Sequence, residues 1–412
     1  MLLKIEIENF FSIKERITLD FRAGNINSAK SRDLADNVMD WHGQKVLKTI
    51  GLFGQNASGK SNITKAINFC CSLIFTSHLH NENTVFAFTP FKFDGWSRKP
   101  SSFLVDFVCD DIEYEYSFSL TQSEILSESL YYYPNKRRAK VFARQGNSYT
   151  YGEGIIARAK DVEINTSNKN LFLSRASSMN RDIAKKIFNY FCNSFILGLV
   201  PIDSQNAEQY FNKYKPVILE ALSVCDSDIC DIVLQKKIVP EVNITTDGVN
   251  ASKTIKDVEI FNVLTYHKSS PEIAFDMMSE ESAGTRQLFG ILMLLLDVVK
   301  RHKSLMLDEF DISLHTLLAD FILDFVHASD GAQLLFTSHN TNLIDTSRLR
   351  KDQIVFVNKK SDGSTEVYSL YDFKDFRDNM DAEKSYKQGR FDAIPIVGTS
   401  VSNLKRLLEE IK

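Results

Sequence analysis

The strongest chemical signal in the chain is the stretch Gly54-Gln55-Asn56-Ala57-Ser58-Gly59-Lys60-Ser61, which fits the pattern G-x-x-x-x-G-K-[ST]. Glycines at this spacing let backbone N–H groups surround phosphates, and the helix that follows adds the positive end of its dipole. We expect Lys60 to reach the β- and γ-phosphates of a nucleotide and the Ser61 hydroxyl to ligate Mg²⁺. A short apolar strand precedes the stretch and helical periodicity follows it, which favours this interpretation over an ordinary glycine turn.

A second candidate site follows the short apolar strand that begins near residue 304. Asp308 and Glu309 come directly after this strand. Asp308 suits Mg²⁺, and Glu309 suits orienting and deprotonating a water that attacks the γ-phosphate. Many strands end in acidic residues, but the phosphate-loop pattern upstream favours the functional interpretation. We therefore predict Asp308 as a metal ligand and Glu309 as a catalytic residue.

A histidine, His339, follows the next apolar strand, residues 334–338. A lone histidine is more often structural than functional. Because this strand is expected beside the carboxylate strand, His339 has a γ-phosphate within reach, and we predict it as the second catalytic residue.

The segment Glu281–Gln287 opens a strongly apolar helix. Its Ser-x-Gly turn offers a hydroxyl and free N–H groups to a phosphate. An isolated turn of this kind is more often a plain helix cap. Because this one lies just before the strand that leads to Asp308, we treat it as a candidate anion site.

Composition excludes several classes of protein. The 412 residues are 43% hydrophobic and 25% charged, which rules out wholesale disorder and collagen-like architecture. With Lys+Arg 49 against Asp+Glu 53, the net charge of −4 is unlike that of a general nucleic-acid wrapper. The cysteines form no C-x-x-C pair, so we expect reduced thiols rather than disulfides or zinc. The chain shows no targeting or membrane segment, and we expect a soluble, cytoplasmic protein with no membrane partner.

The elements that must position these residues alternate between strand and helix at both ends of the chain. Strands are expected within residues 1–22, 49–53, 101–120, 258–263, 304–308, 333–337, 353–357 and 365–370, and helices at 61–74, 175–235, 284–300, 314–326 and 402–410. This order predicts an α/β fold, a mixed sheet with N-terminal antiparallel hairpins, built from both termini. We divide the chain into an N-terminal lobe (1–150), a mainly helical insertion (151–255) and a C-terminal lobe (256–412).

The order of these motifs resembles the ATP-binding-cassette (ABC) superfamily, and within it the SMC and RecF-like branch. Along the chain, the resemblance rests on Ile7–Ser12 for the first hairpin, Gly54–Ser61 for Walker A, Ser282–Gln287 for the signature loop, Ser304–Glu309 for Walker B, Ser313–His315 for the D-loop, His339 for the switch histidine and Tyr386–Pro395 for the ending of bacterial AAA-type abortive-infection (RloA-like) ATPases. A Q-loop glutamine is not evident, and Gln122 is a weak candidate.

The resemblance implies a P-loop ATPase head that binds ATP with Mg²⁺ and pairs with a second copy. The signature residues Ser282, Ala283, Gly284, Thr285 and Arg286, and the D-loop residues Ser313 and His315, would complete the partner's ATP site in a homodimer or higher even oligomer. It further implies the sensor ATPase of an anti-phage system that controls a separately encoded effector, a nuclease or toxin.

Three functions remain open on the sequence alone. Besides the defence ATPase, the chain fits a RecF- or SMC-like DNA-repair ATPase that clamps DNA, or a scaffold in which ATP is structural. Nucleic acid could meet the basic residues 136–140 and Arg144, which lie beside Tyr131–Tyr133, although a solvated loop edge is the more ordinary interpretation. We do not expect a full SMC protein, because sustained heptads are not found between Lys60 and Ser282, nor an OLD-type nuclease, because the residues that follow His339 are expected mostly to complete the core.

Overall fold

A computed structural model describes residues 1–26, 28–197, 207–224, 228–246, 251–312 and 314–393. Its strands in chain order are β1 (Leu2–Glu8), β2 (Ile17–Asp20), β3 (Val38–Trp41), β4 (Gln44–Leu47), β5 (Thr49–Phe53), β6 (Ser101–Cys109), β7 (Ile112–Leu120), β8 (Ile125–Tyr132), β9 (Ala139–Gln145), β10 (Ser148–Tyr151), β11 (Phe195–Leu197), β12 (Ile229–Thr246), β13 (Ala251–His267), β14 (Ser270–Asp276), β15 (Ser304–Leu307), β16 (Gln333–Ser338), β17 (Ile354–Lys359) and β18 (Thr365–Ser369). Its helices are α1 (Ala29–Asp33), α2 (Lys60–Thr76), α3 (Ala159–Ile164), α4 (Phe172–Ser178), α5 (Asp182–Ser194), α6 (Ala207–Val224), α7 (Ala283–Arg301), α8 (Thr316–His327) and α9 (Ala382–Lys387).

The N-terminal strands form an antiparallel sheet in the order β10-β9-β8-β7-β6-β1-β2. The predicted hairpin within residues 101–120 is confirmed, with β6 and β7 in register from Ser101–Leu120 to Cys109–Ile112. Asp110 and Asp111 form its turn with φ angles of 47° and 62°. Two successive left-handed residues match the twist that a two-residue hairpin turn needs.

A second, mainly parallel sheet joins strands from both ends of the chain in the order β11-β15-β16-β5-β17-β18. β5 lies between β16 and β17 and pairs in parallel with both, whereas β18 returns antiparallel to β17. The burial of β5, β15 and β16 is complete along their lengths, as expected for parallel strands covered on both faces. This sheet confirms the predicted mixed architecture assembled from the two termini.

The side chain of Gln333 ties the two sheets together. Its amide accepts a hydrogen bond from the Leu2 N–H at 2.7 Å and donates to the Leu2 and Leu47 carbonyl oxygens at 2.9 and 3.2 Å. Gln333 is 1% exposed, so the oxygen and the nitrogen of its amide both form hydrogen bonds where water cannot reach.

The predicted insertion divides between two cores. Helices α3, α4 and α5 contribute apolar residues to the core of the N-terminal sheet, and α6 contributes to the core around α7 and the parallel sheet. Helical structure was expected to about residue 235, but α6 ends at Val224 and β12 begins at Ile229. The expectation is wrong for 229–235 because β12 pairs with β13 along its whole length, and for Phe195–Leu197 because β11 pairs with β15; no local period shows either pairing.

The tail motif beginning at Tyr386 has a structural role as far as it is described. Phe391 is fully buried and stacks on Phe356 at 4.8 Å between ring centroids. The Tyr386 hydroxyl donates to the Ala393 carbonyl oxygen at 2.8 Å. Residues 394 and 395 of the motif, and the helix expected at 402–410, lie outside the described residues.

Among the described residues, every cysteine is a free thiol, as expected; Cys225 lies outside them. The part of the chain that the structure covers holds no helix of the length and apolarity that crossing a bilayer requires.

Candidate functional site

The glycine-rich loop connects the end of β5 to the start of α2. Ala57 at its exposed tip has φ 62°, and Gly59, which caps α2, has φ 113°. A side chain at Gly59 would overlap the hydroxyl of Thr365, so both the backbone angle and the available space require glycine there. Gln55 and Asn56 lie on the accessible side of the loop, whereas Ser58 is buried.

The ammonium group of Lys60 folds back over this loop. It donates hydrogen bonds to the carbonyl oxygens of Gly54 at 2.7 Å and of Gln55 at 3.1 Å. Burial lowers the pKa of Lys60 to about 8, although the nearby carboxylates of Glu309 and Asp308 raise it in part. The loop therefore holds a cation that is poorly solvated and gains from an anionic ligand.

Asp308 and Glu309 follow β15, as predicted, and Thr337 on the neighbouring β16 holds both. The Thr337 hydroxyl donates to Asp308 Oδ1 at 2.6 Å, and the Glu309 N–H donates to Thr337 Oγ1 at 2.7 Å. Glu309 has φ 49°, a left-handed conformation that is uncommon for a non-glycine residue. Thr337 thus holds both the carboxylate of Asp308 and the backbone of Glu309 in the turn that follows the strand.

His339 follows β16 and lies beside the second carboxylate. Its Nε2 is 3.6 Å from Glu309 Oε1. Burial, followed by the positive charge of Lys60, lowers the pKa of His339, while the surrounding carboxylates raise it in part. The imidazole is consequently neutral at pH 7 and has one N–H to donate.

These side chains meet because β5, β15 and β16 are parallel and adjacent in the sheet. The carboxyl ends of parallel strands lie at one edge, which is where α/β proteins place their ligands. Lys60, Asp308, Glu309 and His339 influence one another electrostatically at this edge, so the structure brings together four of the charged or titratable residues that the sequence selected.

Ser61 lies in the first turn of α2 beside Lys60. The described residues contain no group of three or more His, Cys, Asp or Glu side chains that could hold a metal ion by themselves. A hydroxyl and one carboxylate are instead the donor set typical of Mg²⁺ that completes its shell with water and phosphate oxygens.

The segment 282–286 forms the N-terminus of α7. The Ser282 side chain accepts a hydrogen bond from the Thr285 N–H at 3.1 Å, and Ser282 and Ala283 are exposed. Arg286 donates to the Met278 carbonyl oxygen at 2.6 Å. Both 282–286 and 54–61 are fully described, and no hydrogen bond or ion pair joins them.

The first turn of α7 is tied to the carboxylate turn. Gln287 donates to the carbonyl oxygen of Phe310 at 2.9 Å. His315 caps α8, where its Nδ1 accepts a hydrogen bond from the Leu317 N–H at 3.3 Å. Ser313, predicted with His315 as part of the D-loop, lies outside the described residues.

Sequence reasoning missed Thr337, although it lies two residues before His339. A hydroxyl residue at the carboxyl end of a strand expected beside the carboxylate strand was the signal that could have identified it. It also missed Asp311, whose pKa is raised by burial and whose carboxylate accepts a hydrogen bond from Ser338 at 2.9 Å. Gln122, the weak Q-loop candidate, donates to the Phe88 carbonyl oxygen at 2.7 Å.

The basic cluster near residue 138 is largely committed to contacts within the chain. Arg144 is 3% exposed and donates to three backbone carbonyl oxygens. Arg138 pairs with Glu115 at 2.6 Å and its guanidinium lies 3.4 Å from the centre of the Tyr131 ring. Lys136 and Arg137 are exposed.

Comparison with known proteins gives a family and a structural likeness. A protein-family model described as "AAA domain, putative AbiEii toxin, Type IV TA system" matches residues 50–345. The solved structure titled "Crystal structure of the SmcHead bound to the C-winged helix domain of ScpA" is similar with TM-score 0.41 and 12% identity, covering 94% of this chain and 99% of that one. The "SMC head domain from Thermotoga maritima" is similar with TM-score 0.40 and 12% identity, covering 89% and 98%. The comparison with curated proteins finds no match.

Proposed function

Because this chain belongs to the AAA-domain family that is described with the AbiEii toxin of type IV toxin–antitoxin systems, we propose that it hydrolyses ATP and closes as a dimer around the nucleotide. The observation that carries the proposal is the convergence of Lys60, Asp308, Glu309 and His339 at one edge of the parallel sheet. A poorly solvated cation lies near two carboxylates and a neutral imidazole there. These groups can bind phosphates, hold Mg²⁺ and activate a water, as phosphoryl transfer to water requires.

The loop 54–61 is the proposed cradle for the phosphates. A triphosphate offers Lys60 stronger acceptors than the two backbone carbonyls it now contacts. The Ser58 hydroxyl is buried and has no hydrogen-bond partner among the described residues, so the loop retains unused hydrogen-bonding capacity. Both observations fit a loop in which an anionic ligand accepts hydrogen bonds from Lys60 and from Ser58.

Mg²⁺ would be held by the hydroxyl of Ser61 and the carboxylate of Asp308, together with phosphate oxygens. When bound, the ion neutralises charge on the phosphates during transfer. Thr337 contributes by fixing one oxygen of Asp308 through its 2.6 Å hydrogen bond.

Glu309 is the proposed general base for the attacking water. Its left-handed backbone turns its carboxylate away from the line of β15, at the cost of local strain. His339 is the proposed N–H donor to the γ-phosphate, a role that requires the neutral imidazole that its lowered pKa provides.

The dimer is supported by the separation, within one chain, of the loop 54–61 from the signature residues 282–286. Ser282 is exposed, and among the described residues its hydroxyl bonds only to Thr285 in its own helix turn, so it is available to a second copy. Large apolar side chains near the signature loop and the D-loop are also exposed: Met278 by 67%, Ile312 by 57% and Leu317 by 66%. A second copy facing these residues would bury them, and each ATP would then link two protomers.

The biological role we propose is that of the regulatory ATPase of an anti-phage, abortive-infection system that controls a separate nuclease or toxin. The DNA-clamping alternative is less well supported because Arg144 is buried and Arg138 is paired with Glu115. Only part of the basic cluster is left to meet phosphates.

The proposal is tested by measuring phosphate release and light scattering with and without Mg-ATP, for the wild type and for Asp308→Asn. We expect the wild type to hydrolyse ATP and to double its mass with ATP, and the variant to bind ATP without Mg²⁺-dependent turnover. A wild type that neither binds nor hydrolyses ATP contradicts the proposal. Co-purification with the products of adjacent genes, with and without ATP, then tests for an effector.

A further inference from the structure

We infer that Thr365, on β18, is a positioning residue for the phosphate loop and acts through a relay of side-chain hydrogen bonds that begins at α2. The inference rests on the proposed nucleotide site. The relay consists of three contacts: Asn62 Nδ2 to Ser12 Oγ at 2.7 Å, Ser12 Oγ to Thr365 Oγ1 at 2.7 Å, and Thr365 Oγ1 to the Ser58 carbonyl oxygen at 2.9 Å.

The chemistry at the two ends assigns the direction of every hydrogen bond. The Ser58 carbonyl oxygen can only accept, so the Thr365 hydroxyl must donate to it. The amide nitrogen of Asn62 can only donate, so Ser12 Oγ accepts from it. The remaining hydrogen, on Ser12, is therefore donated to Thr365 Oγ1, so each hydroxyl donates one hydrogen bond and accepts one.

The relay decides which way the peptide between Ser58 and Gly59 faces. No peptide bond among the described residues is cis, and the C=O and N–H of a trans peptide point in opposite directions. Because the Ser58 carbonyl oxygen points towards Thr365 on β18, the Gly59 N–H points away from β18. In the inferred role, this N–H faces the bound phosphates.

The residues around Thr365 hold its side chain in place. It is 5% exposed, and its own N–H donates to the Ser12 carbonyl oxygen at 2.7 Å. A Cβ at Gly59 would collide with the Thr365 hydroxyl and lie 2.9 Å from Ser12 Oγ, so the loop packs directly against the relay. Residues 353 positions apart in the sequence, Ser12 and Thr365, thus support the loop from opposite ends of the chain.

Three variants of the full chain test the inference. Thr365→Val removes the hydroxyl and keeps the branched shape, Thr365→Ser keeps the hydroxyl, and Glu366→Gln is the matched control because Glu366 is exposed on the same strand. Loss of one neutral hydrogen bond predicts that Thr365→Val binds Mg-ATP about 2- to 12-fold more weakly. The effect should fall on KM rather than on kcat, with Thr365→Ser close to the wild type and Glu366→Gln unchanged.

Isothermal titration with Mg-ATP separates the possible failures. If the wild type binds ATP and Thr365→Val binds it equally well, or if Thr365→Ser is as weak as Thr365→Val, the positioning role is wrong and the proposed function stands. If the wild type does not bind ATP, the proposed function and this inference both fail. Should Thr365→Val not fold, Ser12→Ala removes the middle of the relay and must weaken binding in the same way.

Discussion

Thr337 and Asp308 are joined by a 2.6 Å hydrogen bond between neighbouring strands, and the same threonine oxygen receives the N–H of Glu309. One buried hydroxyl therefore fixes both the proposed metal ligand and the backbone of the proposed base. Its position depends on the parallel register of β15 and β16, in which Leu307 lies opposite Phe336.

Thr337→Val should reduce ATP turnover by about 10-fold or more while leaving ATP binding within about twofold of the wild type, because removing the hydroxyl takes away the partner of a part-buried backbone N–H and of the Asp308 carboxylate. We also expect a loss of about 1–3 kcal/mol in the free energy of unfolding. Steady-state kinetics and denaturant unfolding measure both effects. Thr337→Ser is the control, and equal turnover losses in the two variants would show that the methyl group matters and the hydroxyl does not.

Lys60→Met should abolish ATP binding and stabilise the unliganded protein. Burial lowers the pKa of Lys60 from 10.5 to about 8, so the unfolded chain holds this proton more tightly than the folded chain. This destabilising effect of the buried charge is fully present below pH 8 and disappears as pH rises to 10.5.

The measurement is denaturant unfolding of the wild type and Lys60→Met between pH 7 and 10.5. The wild type should gain stability relative to the variant across this window, so that the difference present at pH 7 closes. Parallel curves for the two proteins would mean that Lys60 is not desolvated in solution.

Glu309→Gln should trap ATP in the closed dimer. Glutamine keeps the shape and can still hydrogen-bond a water, but it cannot accept a proton, and losing a general base costs ~10²–10⁴-fold in rate. Phosphate release measures the rate, and light scattering with ATP measures the trapped dimer. Near-normal turnover would remove Glu309 from the catalytic role and leave His339 as the next candidate.

Ser282→Arg should block ATP-dependent dimer closure while each subunit still binds ATP, since the bulky cation would occupy the place of the partner's γ-phosphate. A mixture with Lys60→Met makes the test decisive. In a mixed dimer, one site combines the altered position 60 of one protomer with the altered position 282 of the other, and the second site is intact. About half of the dimers in an equal mixture are mixed and each has one of its two sites active, so we expect about a quarter of wild-type turnover. Two inactive proteins that stay inactive when mixed would show that Ser282 does not act across the dimer.

The candidate site was predictable to the extent that its residues sit in local patterns. The strand–loop–helix around Lys60 and the strand that leads to Asp308 are visible as apolar runs with glycine or acidic ends. The left-handed backbone of Glu309 and the contact of Thr365 with the phosphate loop were not predictable. Both arise from which strands lie side by side, and the sequence carries no local signal for that.

The position of β5 between β16 and β17 has a consequence for how the protein is made. Gly51 must pair with Phe336 on one side and Ile354 on the other, so the strand bearing the phosphate loop leaves the ribosome long before either neighbour exists. At ~5–20 residues per second, the wait for the intervening ~300 residues lasts roughly 15–60 s. During that time a largely apolar strand has both hydrogen-bonding edges open to wrong partners, and the nascent chain cannot form the proposed ATP site. The proposed nucleotide site can therefore form only after Ile354 has been synthesised, ~300 residues later than Gly51.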